Sequence, residues 1–294
     1  MTALSMYVLL LALWVTTDGR AAQNAAQEAQ GGESESILRL DPRLNELIPS
    51  DAVAERVADG FTWVEGPAWD KTHGHLLFSD IPGNAVYRWR KGESVSLFLK
   101  PSGYTGPSPF PGREPGSNGL SFDPHGRLVL CEHGDRRIAR LEPNGSKKTL
   151  VDRYPGKRLN SPNDAVFRSN GVFTSPTPRS VCPEPFSGVY RLSARGDLTL
   201  LTPDIKAPNG IAFSPDEKTL YLTDVDPQRP AWLAYDVNPN GTLSNGRLFF
   251  DAAPWTRLKP GAPDGMKVDN HGNLLCWTGW CLRLLTGRNA SWDH

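Results

Sequence analysis

The chain carries no net charge: 32 Lys and Arg stand against 32 Asp and Glu in 294 residues. That balance gives no reason to expect nucleic acid or an anionic membrane surface as a partner. Cysteine is scarce. The four residues, at 131, 182, 276 and 281, form neither a disulfide framework nor a metal-binding spacing. Cys131 reads as a small core residue in a strand, whereas Cys276 and Cys281 could pair or stay free. An apolar run long enough to cross a bilayer is also lacking. Tyr7–Val15 is too short for that and, with the small residues Ala21-Ala22 behind it, predicts a secretory leader over 1–22. No Lys or Arg precedes the run, so a disordered leader is the alternative. The expectation is a secreted or periplasmic protein, free of the membrane once the leader is removed. Residues 23–44 follow as a linker; Gln, Ala, Gly, Ser and Glu dominate its first part and can bury little.

What the chain has in quantity is glycine and proline, 28 and 26 residues, which suits many hairpins better than helices. The hairpins recur. Residues 209–224, Asn-Gly-Ile-Ala-Phe-Ser-Pro-Asp-Glu-Lys-Thr-Leu-Tyr-Leu-Thr-Asp, pair two alternating apolar segments across a turn at Ser214–Lys218. The same unit begins at Glu65, Asn118, Asn163 and Asp264, giving intervals of 53, 45, 46 and 55 residues. A second, outer hairpin follows the first in four of the units, around Gly92, Gly145, Gly196 and Gly241. Strands and turns at a period near 50 predict an all-β propeller with one blade per repeat, over 45–281. A long loop, 100–117, has no strand pattern and brings Tyr104, Phe110 and Arg113 where a lid or binding loop could lie.

In a propeller the first strand of each blade lines the centre, so equivalent residues fall on a ring. Here they are Glu65, Asn118, Asn163, Asn209 and Asp264. All five offer oxygen; none is His or Cys. Hard divalent cations take such ligands, and two carboxylates would balance one of them. A single Asn-Gly or Asp-Gly is an ordinary turn signal; five at corresponding places are harder to read that way. A central Ca²⁺ could be structural, or a Lewis acid with Asp264 or a nearby His as general base. His133 follows the second strand of blade two and either faces the pocket or holds a backbone carbonyl. His73, His125 and His271 fall at turns and are expected to be exposed.

FTWVEGPAWD (61–70), GSNGLSFDPHGRLVLCEHGDRRIARLE (116–142), NSPNDAVF (160–167), PFSGVYRLS (185–193), APNGIAFSPDEKTLYLTD (207–224) and APDGMKVDNHGN (262–273) together resemble the gluconolactonase-like family that includes regucalcin. The resemblance implies a six-bladed β-propeller, a divalent metal, usually Ca²⁺ with Zn²⁺ or Mg²⁺ as alternatives, and hydrolysis of a sugar lactone. It implies metal ligands at Glu65, Asn163, Asn209 and Asp264, with Asp264 also the catalytic carboxylate. Asn118 and His133 would bind substrate, His133 also assisting catalysis.

Two stretches depart from the family's pattern. Phe173–Pro185 lacks the family's Asp-containing loop, and beyond Leu275 the text turns into a Trp- and Cys-rich tail with no further repeat. About five blades are therefore expected, with Leu282–Leu285 as one further strand and 282–294 as an atypical tail left by truncation or a shifted reading frame. The rival functions are an organophosphate or aryl-ester hydrolase on the same centre, and a propeller that binds without catalysis.

Overall fold

The computed structural model describes residues 42–154, 156–170, 173–177, 188–202, 205–258, 261–277 and 282–285. The leader and nearly all of the linker lie outside them, as do Cys182, Cys281 and the chain after Leu285. Residues 1–61 and 62–294 separate as two compact units. Within the first, Pro42–Glu46 form a single 3-10 turn.

The second unit is built from antiparallel sheets taken in chain order. Sheet one is β1 (Val64–Asp70), β2 (His75–Asp80), β3 (Ala85–Trp89) and β4 (Ser96–Leu99). Sheet two is β5 (Ser117–Phe122), β6 (Leu128–Glu132), β7 (Arg137–Leu141) and β8 (Lys147–Val151). A small hairpin follows, β9 (Arg153–Tyr154) with β10 (Lys157–Arg158). Sheet three is β11 (Val166–Phe167), β12 (Phe173–Thr177), β13 (Gly188–Leu192) and β14 (Leu198–Thr202). Sheet four is β15 (Pro208–Phe213), β16 (Thr219–Asp224), β17 (Ala231–Val237) and β18 (Leu243–Asp251). After the short helix α1 (Ala253–Leu258), sheet five has β19 (Met266–Val268), β20 (Leu274–Trp277) and β21 (Leu282–Leu285). The hairpin β9–β10 and α1 had no counterpart in the repeat. β21 carries the last sheet past residue 281, where the sequence reading ended the propeller.

The core lies between sheets, not inside any one of them. Leu128 and Leu130 pack with Leu77 and Val86 of sheet one, while Val129 and Cys131 turn the other way, toward Ala165 and Leu192 of sheet three. Period-2 alternation on a strand buried on both faces produces this, and it is why β6 reads as an unbroken apolar run. β16 repeats the arrangement: Leu220 and Leu222 meet Val189 of sheet three, and Tyr221 meets Met266, Leu274 and Cys276 of sheet five. Sheets two, three and four are therefore each one wall of two cores, with sheets one and five each packed against one neighbour, which fixes the lateral order one to five. Cys131 is a buried core residue, as expected. Cys276 is a buried free thiol whose burial pushes it far from ionisation.

Candidate active site

The inner strands of neighbouring sheets approach backbone to backbone, and glycine makes that possible. A Cβ on Gly119 would stand 2.6 Å from the Asn163 carbonyl oxygen. One on Gly210 would stand 2.6 Å from the Asp264 carbonyl oxygen, and one on Gly66 would collide with the Asn118 carbonyl. Gly66 adds a positive φ of 58°. Asn209-Gly210, an ordinary turn signal by residue type, lies inside β15. The register of β1, β5 and β15 shifts between Glu65 and Ala68, Ser117 and Leu120, and Pro208 and Ile211. Each bulge contains the ring residue and its glycine. Bulges re-aim side chains, so the motif serves to turn an oxygen donor inward and let the next sheet come close.

Hydroxyl groups lock this contact. Ser79 Oγ donates to the Asn118 carbonyl at 2.9 Å, and Thr223 Oγ1 donates to the Asp264 carbonyl at 2.8 Å. Both are fully buried and both precede an Asp. Asp80 Oδ1 accepts the Trp63 N–H at 3.1 Å, and Asp224 Oδ1 accepts the Ala207 N–H at 3.2 Å. The Ser/Thr-Asp pair at the end of the second strand is therefore a repeated clamp on the ring. The sequence shows it twice, as FSD and LTD, and its role was not read there.

Electrostatics bring the first and last sheets to one centre. Burial pushes Glu65 up to about 8, with the charges of Asp264, Asp164 and Glu114 acting in the same direction and a hydrogen bond from Trp63 opposing them. Burial likewise raises Asp264 to about 6, and Asp164 adds to it, while the Gly265 N–H and the Asn209 side chain hold it back. Asp164 is itself raised by burial, against the pull of Lys267 and the Ala165 N–H. Glu65, Asn163, Asn209 and Asp264 keep partial exposure, and Asn118 is buried. The Asn163 carbonyl accepts the Gly119 N–H at 2.8 Å, and Asn209 reaches Asp264.

His133 stands apart from these contacts and is joined to the centre through a residue the sequence did not single out. Its Nδ1 lies 2.9 Å from Glu114 Oε2, and the Glu114 charge is felt by Glu65. His133 Nε2 is buried and has no partner among the described residues. Glu114 comes from the long loop, whose far end is held by the Gly116 N–H on the Ile81 carbonyl at 2.9 Å and whose near end is pinned by side chains. Asn84 bonds the backbone of Gly103 and Tyr104, and Thr105 bonds Asp135. Trp63, Glu114 and Asp164 are the residues missed. Trp63 was findable, since it stands two before Glu65 on one strand line. Asp164 follows Asn163 directly.

The donor set fits a hard divalent cation: two carboxylates and two amides, all oxygen, with both acids displaced upward by burial and like charge. Among the described residues neither Glu65 nor Asp264 has a cationic partner, and no three His, Cys, Asp or Glu cluster as ligands on their own. A cleft of about 460 Å³ lies elsewhere, by the outer strands of sheets three and four, lined by Thr202, Arg229, Leu233, Tyr235 and Arg247 among others. No ring residue borders it.

Sheets in chain order, each sharing a core with the next, define a β-propeller, with Glu65, Asp164, Asn209 and Asp264 in electrostatic or hydrogen-bond contact at its inner strands. The model of the SMP-30/Gluconolactonase/LRE-like region matches residues 63–289, and the chain belongs to that family. Gluconolactonase of Zymomonas mobilis is 35% identical over 290 residues, covering 91% of this chain and 82% of its own. The solved gluconolactonase of Xanthomonas campestris has a TM-score of 0.71 and 33% identity, over 84% of this chain and 80% of its own. A calcium-binding regucalcin of Agrobacterium tumefaciens shares the fold, with TM-score 0.58, 19% identity and coverage of 74% and 68%.

Proposed function

We propose that this gluconolactonase-like hydrolase opens sugar lactones at a hub where Glu65, Asn163, Asn209 and Asp264 hold one divalent cation, Ca²⁺ before Zn²⁺ or Mg²⁺. The single observation that carries the reading is the crowding of Glu65 by the charge of Asp264, two acids raised by burial and without a cationic partner among the described residues. Such a pair is costly unless a proton or a cation is taken up. Calcium leads because neutral amides join the donor set and because a protein of the same fold is described as calcium-binding.

When bound, the cation would polarise the lactone carbonyl and stabilise the charge developing on its oxygen. Asp264, ionised beside the cation, would accept a proton from the attacking water. The water oxygen bonds to the carbonyl carbon, the ring C–O bond breaks, and the proton passes from Asp264 to the departing ring oxygen. The product is the open hydroxy acid. Asn118 offers an amide to a substrate hydroxyl. His133, with Nδ1 engaged by Glu114, keeps Nε2 for a second hydroxyl. The Glu114–His133 pair thus orients the polyol while the acids at the hub act on the ester bond.

The test is acid release from gluconolactone on a pH-stat, with purified protein before chelation, after it, and after Ca²⁺ is restored. Turnover lost to the chelator and recovered with the ion supports the reading; an unchanged rate in the stripped protein refutes it. Absence of the leader's processing from cells is a separate matter: export is proposed from the 1–22 pattern alone, and is checked by N-terminal sequencing of secreted protein.

A further inference from the structure

Trp63 is tied to the hub by its only polar atom. Its Nε1 donates to Glu65 Oε1 at 2.9 Å. Its backbone is held on both sides: the N–H by Asp80 Oδ1 at 3.1 Å, the carbonyl by the Ile81 N–H at 3.0 Å. The indole nevertheless remains 37% exposed. Trp is a costly residue to leave in water unless a face has a use. A ring fixed by its edge, next to a buried carboxylate, with a free surface, has two consequences. The N–H occupies one lone pair of Oε1 and so sets which way the Glu65 carboxylate turns. The exposed part of the residue adjoins the carboxylate that would hold the cation.

We propose that Trp63 does both: it is the positioning residue for the Glu65 carboxylate, and its exposed indole face is the platform on which the apolar face of a pyranose-type lactone ring stacks. The inference rests on the hub reading above and adds the recognition element that reading lacks. Partners of this kind around metal ligands fix ligand orientation, and their loss costs about 10- to 100-fold in metal affinity. Stacking on an aromatic face contributes on the order of a 3- to 10-fold effect. The substrate class that follows is a six-membered lactone with an unsubstituted or axial-hydrogen face, such as an aldonolactone.

Two variants separate the two jobs. Trp63→Phe deletes the N–H and keeps an aromatic face; Trp63→Ala deletes both. Ca²⁺, Mg²⁺ and Zn²⁺ are titrated calorimetrically into the metal-stripped wild type, and the tightest is carried forward. KM and kcat are then measured at saturating cation for gluconolactone and for δ-valerolactone. The expected result is cation affinity about 10-fold weaker in both variants. KM for gluconolactone should be close to wild type in Trp63→Phe and about 3- to 10-fold higher in Trp63→Ala, with KM for δ-valerolactone, whose ring offers the same C–H face, rising alongside it. Wild-type cation affinity in Trp63→Phe overturns the positioning role. Equal KM for gluconolactone in the two variants overturns the platform. Melting curves of both variants verify folding, and Trp63→Leu replaces Trp63→Ala should that protein be unfolded. A wild type that takes up no cation yet hydrolyses lactone refutes the hub itself, a result distinct from either failure.

Discussion

Asp123 and Asp264 occupy opposite ends of equivalent strand pairs, and the surroundings give them opposite character. At the turn end, Asp123 Oδ1 accepts the N–H groups of His125 and Arg127 at 2.9 Å each, and Arg127 pairs with Oδ2. Asp269 does the same with His271 and Asn273, and Asp70 with Thr72 and His73. Partial burial pushes these three carboxyls up, but the hydrogen bonds outweigh it and hold them below the usual range. At the hub end, burial raises Glu65, Asp164 and Asp264, and like charge adds to it at Glu65 and Asp264. A carboxylate surrounded by N–H groups is satisfied and closes a turn. A carboxylate buried beside another is unsatisfied, and that is the condition for binding a cation or moving a proton.

The sharpest way to break this contrast is to exchange Asp for Asn at each end. Asp264→Asn removes the base and half the ring's charge while keeping the shape. Lactone turnover should fall by about 10²- to 10⁴-fold, and the metal-free protein should melt no lower, since a repulsion has been relieved. Asp269→Asn retains an oxygen for the two turn N–H groups; activity should stay within about twofold and stability within about 1 kcal/mol. Steady-state kinetics and thermal melts on the pair decide it. Equal activity losses would erase the distinction between the ends.

Acidity distinguishes them next. Glu65 is raised from 4.5 to about 8 and Asp264 from 3.8 to about 6. The folded, metal-free hub therefore binds more protons than the unfolded chain between about pH 4 and 8, so its contribution to stability falls as pH rises through that window. The turn-end aspartates run the other way: their contribution is complete above the unfolded value of 3.8 and is lost as pH falls through their lowered folded values. A cation must displace the hub's proton, so its apparent affinity should rise about 10-fold per pH unit between 6 and 8. Calorimetric titration of Ca²⁺ in buffers of different ionisation heats measures both the slope and the proton released. A flat affinity would mean that the acids are already ionised and not coupled.

The lateral order of the sheets was legible because each strand pair repeats at nearly constant spacing and each inner pair is apolar on both faces, as β6 and β16 are. Glu65, Asn209 and Asp264 stood out in the sequence because a ring must use the same position in each repeat, and their contacts in the structure link Glu65 to Asp264 and Asp264 to Asn209. What position alone could not give was the partner of each ring residue. Glu114 reaches His133 from a loop 19 residues earlier in the chain, through a fold-dependent contact no local pattern encodes. The glycines misled for a related reason. Asn-Gly signals a turn by its own propensities, and only the neighbouring sheet, invisible in the local sequence, reveals that the pair sits in a bulge.

Gly119 and Gly126 belong to one hairpin and sharpen the comparison at the smallest scale. Gly126, at the turn, has φ of 75° and only Thr72 Oγ1 nearby, at 3.9 Å from where a Cβ would stand. Its requirement is conformational. Gly126→Ala should cost about 1 kcal/mol, and Gly126→Asn should restore most of it because Asn tolerates the left-handed region. Gly119 has no positive φ, and its requirement is room: a Cβ meets the Asn163 carbonyl oxygen at 2.6 Å and the Asp164 Cα at 2.7 Å. Backbone cannot swing aside as a side-chain tip can. Gly119→Ala should therefore cost about 1–3 kcal/mol, and Gly119→Asn should cost more, not less. Urea midpoints on the four variants read the difference directly. Rescue by Asn at 119 would mean that the residue answers to its own backbone and not to the adjoining sheet, and the close approach that assembles the hub would lose its explanation.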